Sequence, residues 1–292
     1  MKQIGWIGVG IMGKSMVRNL MKAGYTLHIY ARSREKVEEV IEEGAVFHET
    51  IAQCVKGCDA VVTMVGFPKD VEEVYFSEGG ILDNAPKGAF LIDMTTTSPT
   101  LAERLYEEGT ARGFRVMDAP VTGGDTGAKN GTLSILVGGR PEDYEACLPL
   151  FQAMGTNINR QGGPGCGQHA KLANQIMIAG TLSGVCEALA YAREKGLDRS
   201  VLLRSVATGA AGSKQLDLFG EKILQGDYAP GFFLKHFVKD MTLAVEEAEQ
   251  NGLTLGVLTR VLEEYRQLEE AGFGDLGTQA LAKYYQSMGK EK

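Results

Sequence analysis

The sequence predicts an α/β protein: a doubly wound, mainly parallel sheet followed by an all-α C-terminal domain, joined by a long helix. Three observations carry this. Short, near-continuous apolar runs alternate with amphipathic segments through the first half, the pattern of strands covered by helices on both faces. A breaker cluster, GGPGCGQ at 162–168, then changes the texture. Beyond it come only helical patterns, the first running without proline or a block of charge from about Cys166 to Lys195.

The strand runs are IGWIGV, LHIYA, DAVVTMV, AFLID, FRVMDAP and LSILVGG. Segments such as REKVEEVIEEG and SPTLAERLYEEGTARG read as helices between them. The stretch Lys129-Asn130-Gly131, between two strand-like runs, predicts a tight hairpin turn late in the sheet. At 1.5 Å per residue the segment from Cys166 to Lys195 makes a helix about 45 Å long. Its small residues (Ala170, Ala173, Gly180, Gly184) suit close-packed neighbours. Further helical patterns follow at SVLLRSVATG, QLDLFGEKILQG, KDMTLAVEEAEQNG, GVLTRVLEEYRQLEEAG and LGTQALAKYYQSMG. Each closes at or near a glycine, as helix stops do. The expected domains are 1–163, built on the sheet, and 164–292, all helical.

Composition bounds the function. A chain of 292 residues is two domains at roughly 100–200 residues each. Hydrophobic residues at 44% and charged residues at 23% are globular values, enough for a core without disulfides. Acidic residues number 37 and basic residues 30, a net charge of −7, which argues against nucleic acid as a partner. The 5 cysteines include no C-x-x-C pair. Cys54 and Cys58 stand four apart but lack the two further ligands zinc needs, so no metal is expected. Reduced thiols and the absence of a signal-peptide pattern in MKQIGWIGVG fit a cytoplasmic protein. The uncharged stretch from Leu172 to Cys186 reads as too short and too polar to span a bilayer.

The chemistry starts at residues 8–13. Gly8, Gly10 and Gly13 complete a G-x-G-x-x-G after an apolar strand and at the start of KSMVRNLMKAG, the context that gives the motif meaning. Gly8 permits a tight turn, Gly10 admits a pyrophosphate to the backbone, and Gly13 lets helix and strand approach. The plain alternative is a glycine turn without a ligand. The second strand ends Tyr30-Ala31-Arg32-Ser33-Arg34, with no acid before Glu35. A carboxylate there holds the adenosine ribose of NAD; a guanidinium pairs with the 2′-phosphate of NADP. Arg32 and Ser33 therefore favour NADP, with NAD second. Alternatively, Ser33 caps the next helix and the arginines are solvated.

Lys171 and Asn174 are three apart and share one helix face, with Gln175 next along as the alternative to Asn174. Oxidising an alcohol needs a proton acceptor, and a lysine serves if burial brings its pKa from about 10.4 toward neutrality. Thr122, Gly123 and Gly124 offer a hydroxyl and a turn whose N–H groups suit a carboxylate. Thr95 and Thr96 follow a strand ending in Asp93, at the edge where such sheets bind ligands. Taken singly, each has a plain alternative: a solvated lysine, a shaping turn, a structural Asp240, a core Phe232. His169 and His236 lack a partner motif and are read as structural.

Together these segments resemble the β-hydroxyacid dehydrogenase family, which includes 3-hydroxyisobutyrate dehydrogenase, tartronate semialdehyde reductase and the glyoxylate/succinic semialdehyde reductases. GWIGVGIMGKSMVRNLMKAG is similar to the family's cofactor loop and first helix, and DAPVTGG to its substrate signature. GGPGCGQHAKLAN is similar to its catalytic helix start, and KDMTLA to its last motif. The likeness covers essentially the whole chain. It implies a Rossmann domain with a helical domain, a homodimer or homotetramer, and hydride transfer between NADP or NAD and a small β-hydroxyacid or its semialdehyde. It implies Lys171 as general acid/base, and Thr122, Gly123, Gly124 and Asn174 as substrate contacts. It implies Gly8, Gly10, Ile11, Met12, Gly13, Thr95, Thr96, Phe232 and Lys239 as cofactor contacts. The signature usually has serine where this chain has Thr122, which narrows the site by a methyl. Three rivals remain. Imine reductases generally have aspartate or tyrosine where Lys171 stands; 6-phosphogluconate dehydrogenase has a larger helical domain; a non-catalytic NADP-binding module needs no lysine.

Overall fold

Each of the six apolar runs forms a strand in the computed structural model, which describes residues 1–288. The chain opens with β1 (Gln3–Ile7), α1 (Ile11–Lys22) and β2 (Thr26–Tyr30). A single helical turn then leads into α2 (Glu38–Glu42), β3 (Val46–Phe47), α3 (Ile51–Val55) and β4 (Ala60–Thr63). Helices α4 (Pro68–Phe76) and α5 (Ile81–Asn84) precede β5 (Phe90–Asp93), and α6 (Pro99–Ala111) precedes β6 (Arg115–Asp118). The sheet closes with β7 (Val121–Thr122), α7 (Gly124–Asn130), β8 (Leu133–Gly138), α8 (Pro141–Gln152) and β9 (Gly155–Gly162).

The strand order is β3-β2-β1-β4-β5-β6-β8-β7, with β9 beside β8. Pairing is parallel from β3 to β6; β8 is antiparallel to β6 and β7 and parallel to β9. Alternate residues feed two apolar layers. Trp6, Val62 and Ile92 pack with Met16 and Leu20 of α1 on one face, while Ile7, Val61 and Leu91 pack with Tyr75 and Leu105 on the other. Burying each such aliphatic side chain contributes about 1.5–3 kcal/mol, which is why these strands are apolar throughout rather than alternating. One row of register crosses the sheet at its carboxyl edge: Tyr30, Ile7, Thr63, Asp93, Asp118 and Gly138. Each parallel strand of the row ends there and hands over to a loop. The order reverses between β1 and β4, the switch point where open sheets bind ligands.

Two local expectations need correction, and one strand had no expectation at all. The stretch 129–131 is no hairpin: Asn130 ends α7, and Gly131, at φ +66°, is its left-handed cap. Strand β9 carried no apolar signal because it is an edge strand with most of its residues in solvent. Ser33 does not cap the following turn; that position falls to Arg34, which makes no capping bond. The paired cysteines spend their thiols on backbone carbonyls, Cys54 on His28 O at 3.2 Å and Cys58 on Cys54 O at 3.3 Å. Burial pushes Cys58 up to about 11.

Helix α9 (Cys166–Glu194) leaves the first compact unit, Met1–Lys171, and enters the second, Leu172–Lys292. There follow α10 (Arg199–Val206), α11 (Lys214–Gln225), α12 (Leu234–Gln250), α13 (Gly256–Leu268) and α14 (Leu281–Lys283). The α12 helix starts five residues before its KDMTLA pattern, behind Phe233 in the N-cap position. The end of the last pattern, Gly289, lies outside the described residues. By length and a mean hydropathy of 1.2, α9 reaches what a membrane crossing needs, unlike the shorter stretch read from sequence. Within the second unit, Ala179, Leu182 and Leu189 of α9 pack with Phe237, Met241 and Tyr265 in one apolar cluster. That core use of α9 accounts for its hydropathy.

Candidate active site

The loop after β1 has the geometry its glycines demand. Gly8 sits at φ +98°, and a Cβ there would lie 2.2 Å from Met64 O. A Cβ on Gly13 would lie 2.2 Å from Gly8 O, the carbonyl that also accepts from Trp6 Nε1 at 3.1 Å. So Gly8 turns the chain and Gly13 presses α1 onto the strand. Gly10 differs: a Cβ there would meet nothing within 4 Å. It is the N-cap of α1, without a side-chain cap and with no acid in the first turn, so the first-turn N–H groups at Ile11, Met12 and Gly13 face no competing carboxylate of that turn. A cleft of about 740 Å³ lies beside Gly10 and Ile11, walled by Lys14, Arg18 and Lys36 together with Glu35 and Glu39, and Glu39 pairs with Lys14 at 2.7 Å and Arg18 at 2.9 Å. Open space over Gly10 and an uncapped helix start fit a dinucleotide pyrophosphate.

At the end of β2, the Arg32 side chain is 82% exposed and reaches Asp70 Oδ1 only at 3.7 Å. Asp70 is already engaged, accepting from Phe67 N at 2.9 Å to cap α4. Arg34 pairs with Glu38 at 3.5 Å and lies over the Phe47 ring.

The middle of the edge row is polar and buried. Asp93 Oδ1 accepts from Thr63 Oγ1 at 2.7 Å and from Thr95 N at 3.1 Å. Thr63 Oγ1 also meets Tyr75 OH at 3.1 Å. Thr95 is 1% exposed and its hydroxyl accepts from Val65 N at 3.0 Å, joining the loops after β4 and β5. Thr96, next along, is half-buried. Asp93 Oδ2 has no hydrogen-bond partner among the described residues. Burial pushes the Asp93 carboxyl up to about 6, against the pull of its bonds from Thr63 and Thr95.

Asp118, next in the row, takes the start of α9. Its carboxylate accepts from Gly165 N at 2.9 Å and Gln168 N at 2.8 Å. Burial raises its pKa, opposed by these bonds. The approach is close: a Cβ on Gly167 would lie 2.4 Å from Leu136 O. Gln168, fully buried, donates through Nε2 to Thr95 O at 2.7 Å and accepts through Oε1 from Thr97 N at 3.0 Å. Lys171 follows one turn along, 7% exposed. Thr122 ends β7, and Gly123 and Gly124 follow at φ +131° and +63°. Two successive glycines at positive φ make a turn, and the N–H groups of a turn can form a concavity that suits an anion.

In the second unit, a polar chain runs through the residues singled out in α9 and α12. Asn174 Nδ2 donates to Gln175 Oε1 at 2.8 Å, and Gln175 Nε2 to Asp240 Oδ2 at 2.6 Å. Lys239 Nζ pairs with Asp240 Oδ1 at 3.0 Å. Asp240 is therefore a buried anchor for both neighbours rather than a bystander. Phe232 is partly exposed, before α12, stacked on His236 at 6.3 Å.

The first unit thus gathers Gly8–Gly13, Thr95, Thr96, Thr122–Gly124 and the start of α9 at the carboxyl edge of one sheet; Asn174, Phe232 and Lys239 belong to the second. Sequence reasoning missed Gln168 and gave Asp93 and Asp118 no role, although both acids close apolar runs (AFLID, FRVMD), where a charge in a buried position signals a tertiary partner.

A doubly wound sheet with a G-x-G-x-x-G loop at its switch point defines a dinucleotide-binding fold, and the comparisons with known proteins make the class an NAD(P)-dependent oxidoreductase. Residues 3–163 match the family described as NAD binding domain of 6-phosphogluconate dehydrogenase. Residues 165–285 match that described as NAD-binding of NADP-dependent 3-hydroxyisobutyrate dehydrogenase. An uncharacterized oxidoreductase of Bacillus subtilis is 47% identical over 97% of this chain and 99% of its own. The 2-hydroxy-3-oxopropionate reductase of Escherichia coli is 36% identical over 99% of both chains. The Mycobacterium tuberculosis 3-hydroxyisobutyrate dehydrogenase, solved with L-serine, superposes with a TM-score of 0.88 at 26% identity, over 98% of this chain and 100% of its own. The chain belongs to the β-hydroxyacid dehydrogenase family.

The raised Asp93 carboxyl makes a pH prediction. Its folded value, about 6, lies above the unfolded value of 3.8, so its contribution to stability is full below the unfolded value and is lost as pH rises through the folded one. Asp93→Asn keeps the carbonyl oxygen that Thr63 and Thr95 use but cannot ionise. The melting temperature of the variant minus that of the wild type should rise between about pH 4 and 6, the interval between the two values, and level off above. A difference that stays flat across this range would show that Asp93 titrates at an ordinary value.

Proposed function

We propose that the chain transfers a hydride between NADP(H) and a small β-hydroxyacid or its semialdehyde, of the 3-hydroxyisobutyrate and tartronate semialdehyde type, with Lys171 moving the proton. One observation carries the reading: Lys171 is buried one turn into a helix whose start is hydrogen-bonded to the carboxyl ends of β5 and β6. A lysine at such a place is not the solvated residue it would be by default.

The Gly8–Gly13 loop binds the cofactor pyrophosphate, and Thr95 and Thr96 are its further contacts. NAD(P), when bound, supplies or takes the hydride at the substrate carbon. Thr122 and the N–H groups of Gly123 and Gly124 hold the substrate carboxylate. In reduction, Lys171 donates a proton to the carbonyl oxygen; in oxidation, its free amine accepts the hydroxyl proton. Asn174, on the same face of α9, steadies the reacting oxygen, its own amide held by Gln175. A homodimer or homotetramer is supported by apolar side chains left in solvent on α9 and α13, Met177, Tyr191 and Val257.

The choice of NADP rests on Arg32, whose long ion pair with Asp70 leaves the guanidinium exposed; such pairs contribute little. The wild type should show a lower KM for NADP(H) than for NAD(H), and Arg32→Asp should reverse the order by adding repulsion to the lost pair. Equal use of both cofactors by the wild type removes Arg32 from cofactor choice.

For Lys171, steady-state kinetics over pH decide. Lys171→Ala should lower kcat by about 10²–10⁴-fold, the usual share of positioned proton transfer, with cofactor affinity little changed. Lys171→Arg should not rescue, because a guanidinium stays protonated. In oxidation, wild-type kcat/KM should rise with pH and the variants should lose that limb. An alanine variant keeping more than about a tenth of kcat moves the proton transfer elsewhere.

A further inference from the structure

The amide of Gln168 hydrogen-bonds to Thr95 and Thr97 rather than to the loops assigned to phosphate or carboxylate, and it is fully buried. Its two ends meet opposite partners of the loop after β5: Nε2 gives to Thr95 O, and Oε1 takes from Thr97 N. Thr95 O can only accept and Thr97 N can only donate, so the amide has one orientation available. The backbone of Gln168 is fixed as well, because its N–H goes to Asp118. Three hydrogen bonds therefore lock this one residue to the ends of two neighbouring strands. Lys171 stands three positions on, one turn along the same helix face.

We propose that Gln168, braced by Asp118, is a positioning residue: it sets the register of α9 against the Thr95–Thr97 loop and so holds the Lys171 ammonium at its working place relative to the cofactor contacts at Thr95 and Thr96. The inference rests on the reading of Lys171 as the proton-transfer group. Asp118 acts here as a capping box supplied from another element, accepting from the N-cap residue Gly165 and from the third helical residue. Gln168 adds what a cap lacks, a bond pair that reads the position of the loop. Small misplacements of a reacting group are costly; about 1 Å reaches 10²-fold in rate.

Glutamate at this position makes the test reversible. Protonated, a Gln168→Glu carboxyl reproduces the amide pattern, with O–H donating to Thr95 O and the other oxygen accepting from Thr97 N. Ionised, it sets an oxygen against Thr95 O. The charged groups around the position are Asp118 on β6, Asp93 at the end of β5 and Lys171 on α9. The two carboxylates oppose ionisation of the glutamate, and the lysine favours it.

The experiment measures kcat for wild type, Gln168→Glu and Gln168→Leu at pH 5.5 and 8, each variant as a ratio to wild type at the same pH. NADPH binding is followed by nicotinamide fluorescence, and folding by circular dichroism and melting. Expected are a 10- to 100-fold loss of kcat for the leucine variant at both pH values, and for the glutamate variant at pH 8 only (about the size of an ångström-scale misplacement). The NADPH Kd should stay within about threefold, since the pyrophosphate loop holds most of the cofactor. A glutamate variant that keeps the wild-type ratio at both pH values overturns the inference. So does one whose melting temperature at pH 8 falls below the assay temperature, since the bridge is then only a determinant of the fold. Lys171→Ala, run in parallel, separates the two claims. If it stays active, the reading of Lys171 fails; if it is inactive while both Gln168 variants match wild type, only the positioning role fails.

Discussion

A helix that starts inside a protein brings N–H groups with no partner of their own, and each must be satisfied or the burial is costly. Helix α9 starts this way, pressed against the sheet so closely that Gly167 has no room for a side chain. The Asp118 carboxylate resolves the problem by accepting from Gly165 N and Gln168 N. That choice has consequences along the chain. It puts a charge at the buried end of β6, beside Gly138, where a Cβ would lie 2.2 Å from the same carboxylate. It fixes the first turn of α9, a 29-residue helix that also contributes to the core of the second unit.

The same edge of the sheet carries a second buried carboxylate, and the two divide the labour. Asp93 ties Thr63 to Thr95 N, so the loops after β4 and β5 share one floor. Asp118 ties that floor's neighbour to α9. Gln168 closes the circuit between them through Thr95 O and Thr97 N. Parallel strands in register make this economical: Thr63, Asp93 and Asp118 stand side by side because Ile7, at the end of β1, stands in the same row. The glycine loop, the threonine loop and the lysine helix are thus three departures from one line of residues.

How much of this was legible depended on whether the signal was local. Strands covered on both faces are apolar throughout, so all six main runs could be read directly. The glycine loop was legible because each glycine answers a local need, and the structure places Gly8, Gly10 and Gly13 in three different environments. The Asn-Gly pair at 130–131 misled because one left-handed glycine serves equally as a hairpin residue and as a helix cap. Polar β9 gave no periodicity, since an edge strand in solvent has none to give. Gln168 was the deeper omission. It lies within the GGPGCGQHAKLAN motif, but its partners are about seventy residues away in sequence, and nothing in its neighbours announces them. The Asn174–Gln175–Asp240–Lys239 chain was half visible: its residues were singled out, its order was not.

A buried lysine has to face the reacting oxygen if it is to move the proton, and that is a matter of position before it is one of rate. The most direct measurement is a crystal structure of the enzyme with NADP⁺ and a bound small hydroxyacid. The geometry of the α9 start predicts the Lys171 Nζ within about 2.6–3.2 Å of the substrate hydroxyl, the substrate carboxylate on Thr122, Gly123 and Gly124, and the Gln168 bridge to Thr95 and Thr97 intact. A complex in which another titratable side chain holds the hydroxyl while Lys171 turns away would contradict it.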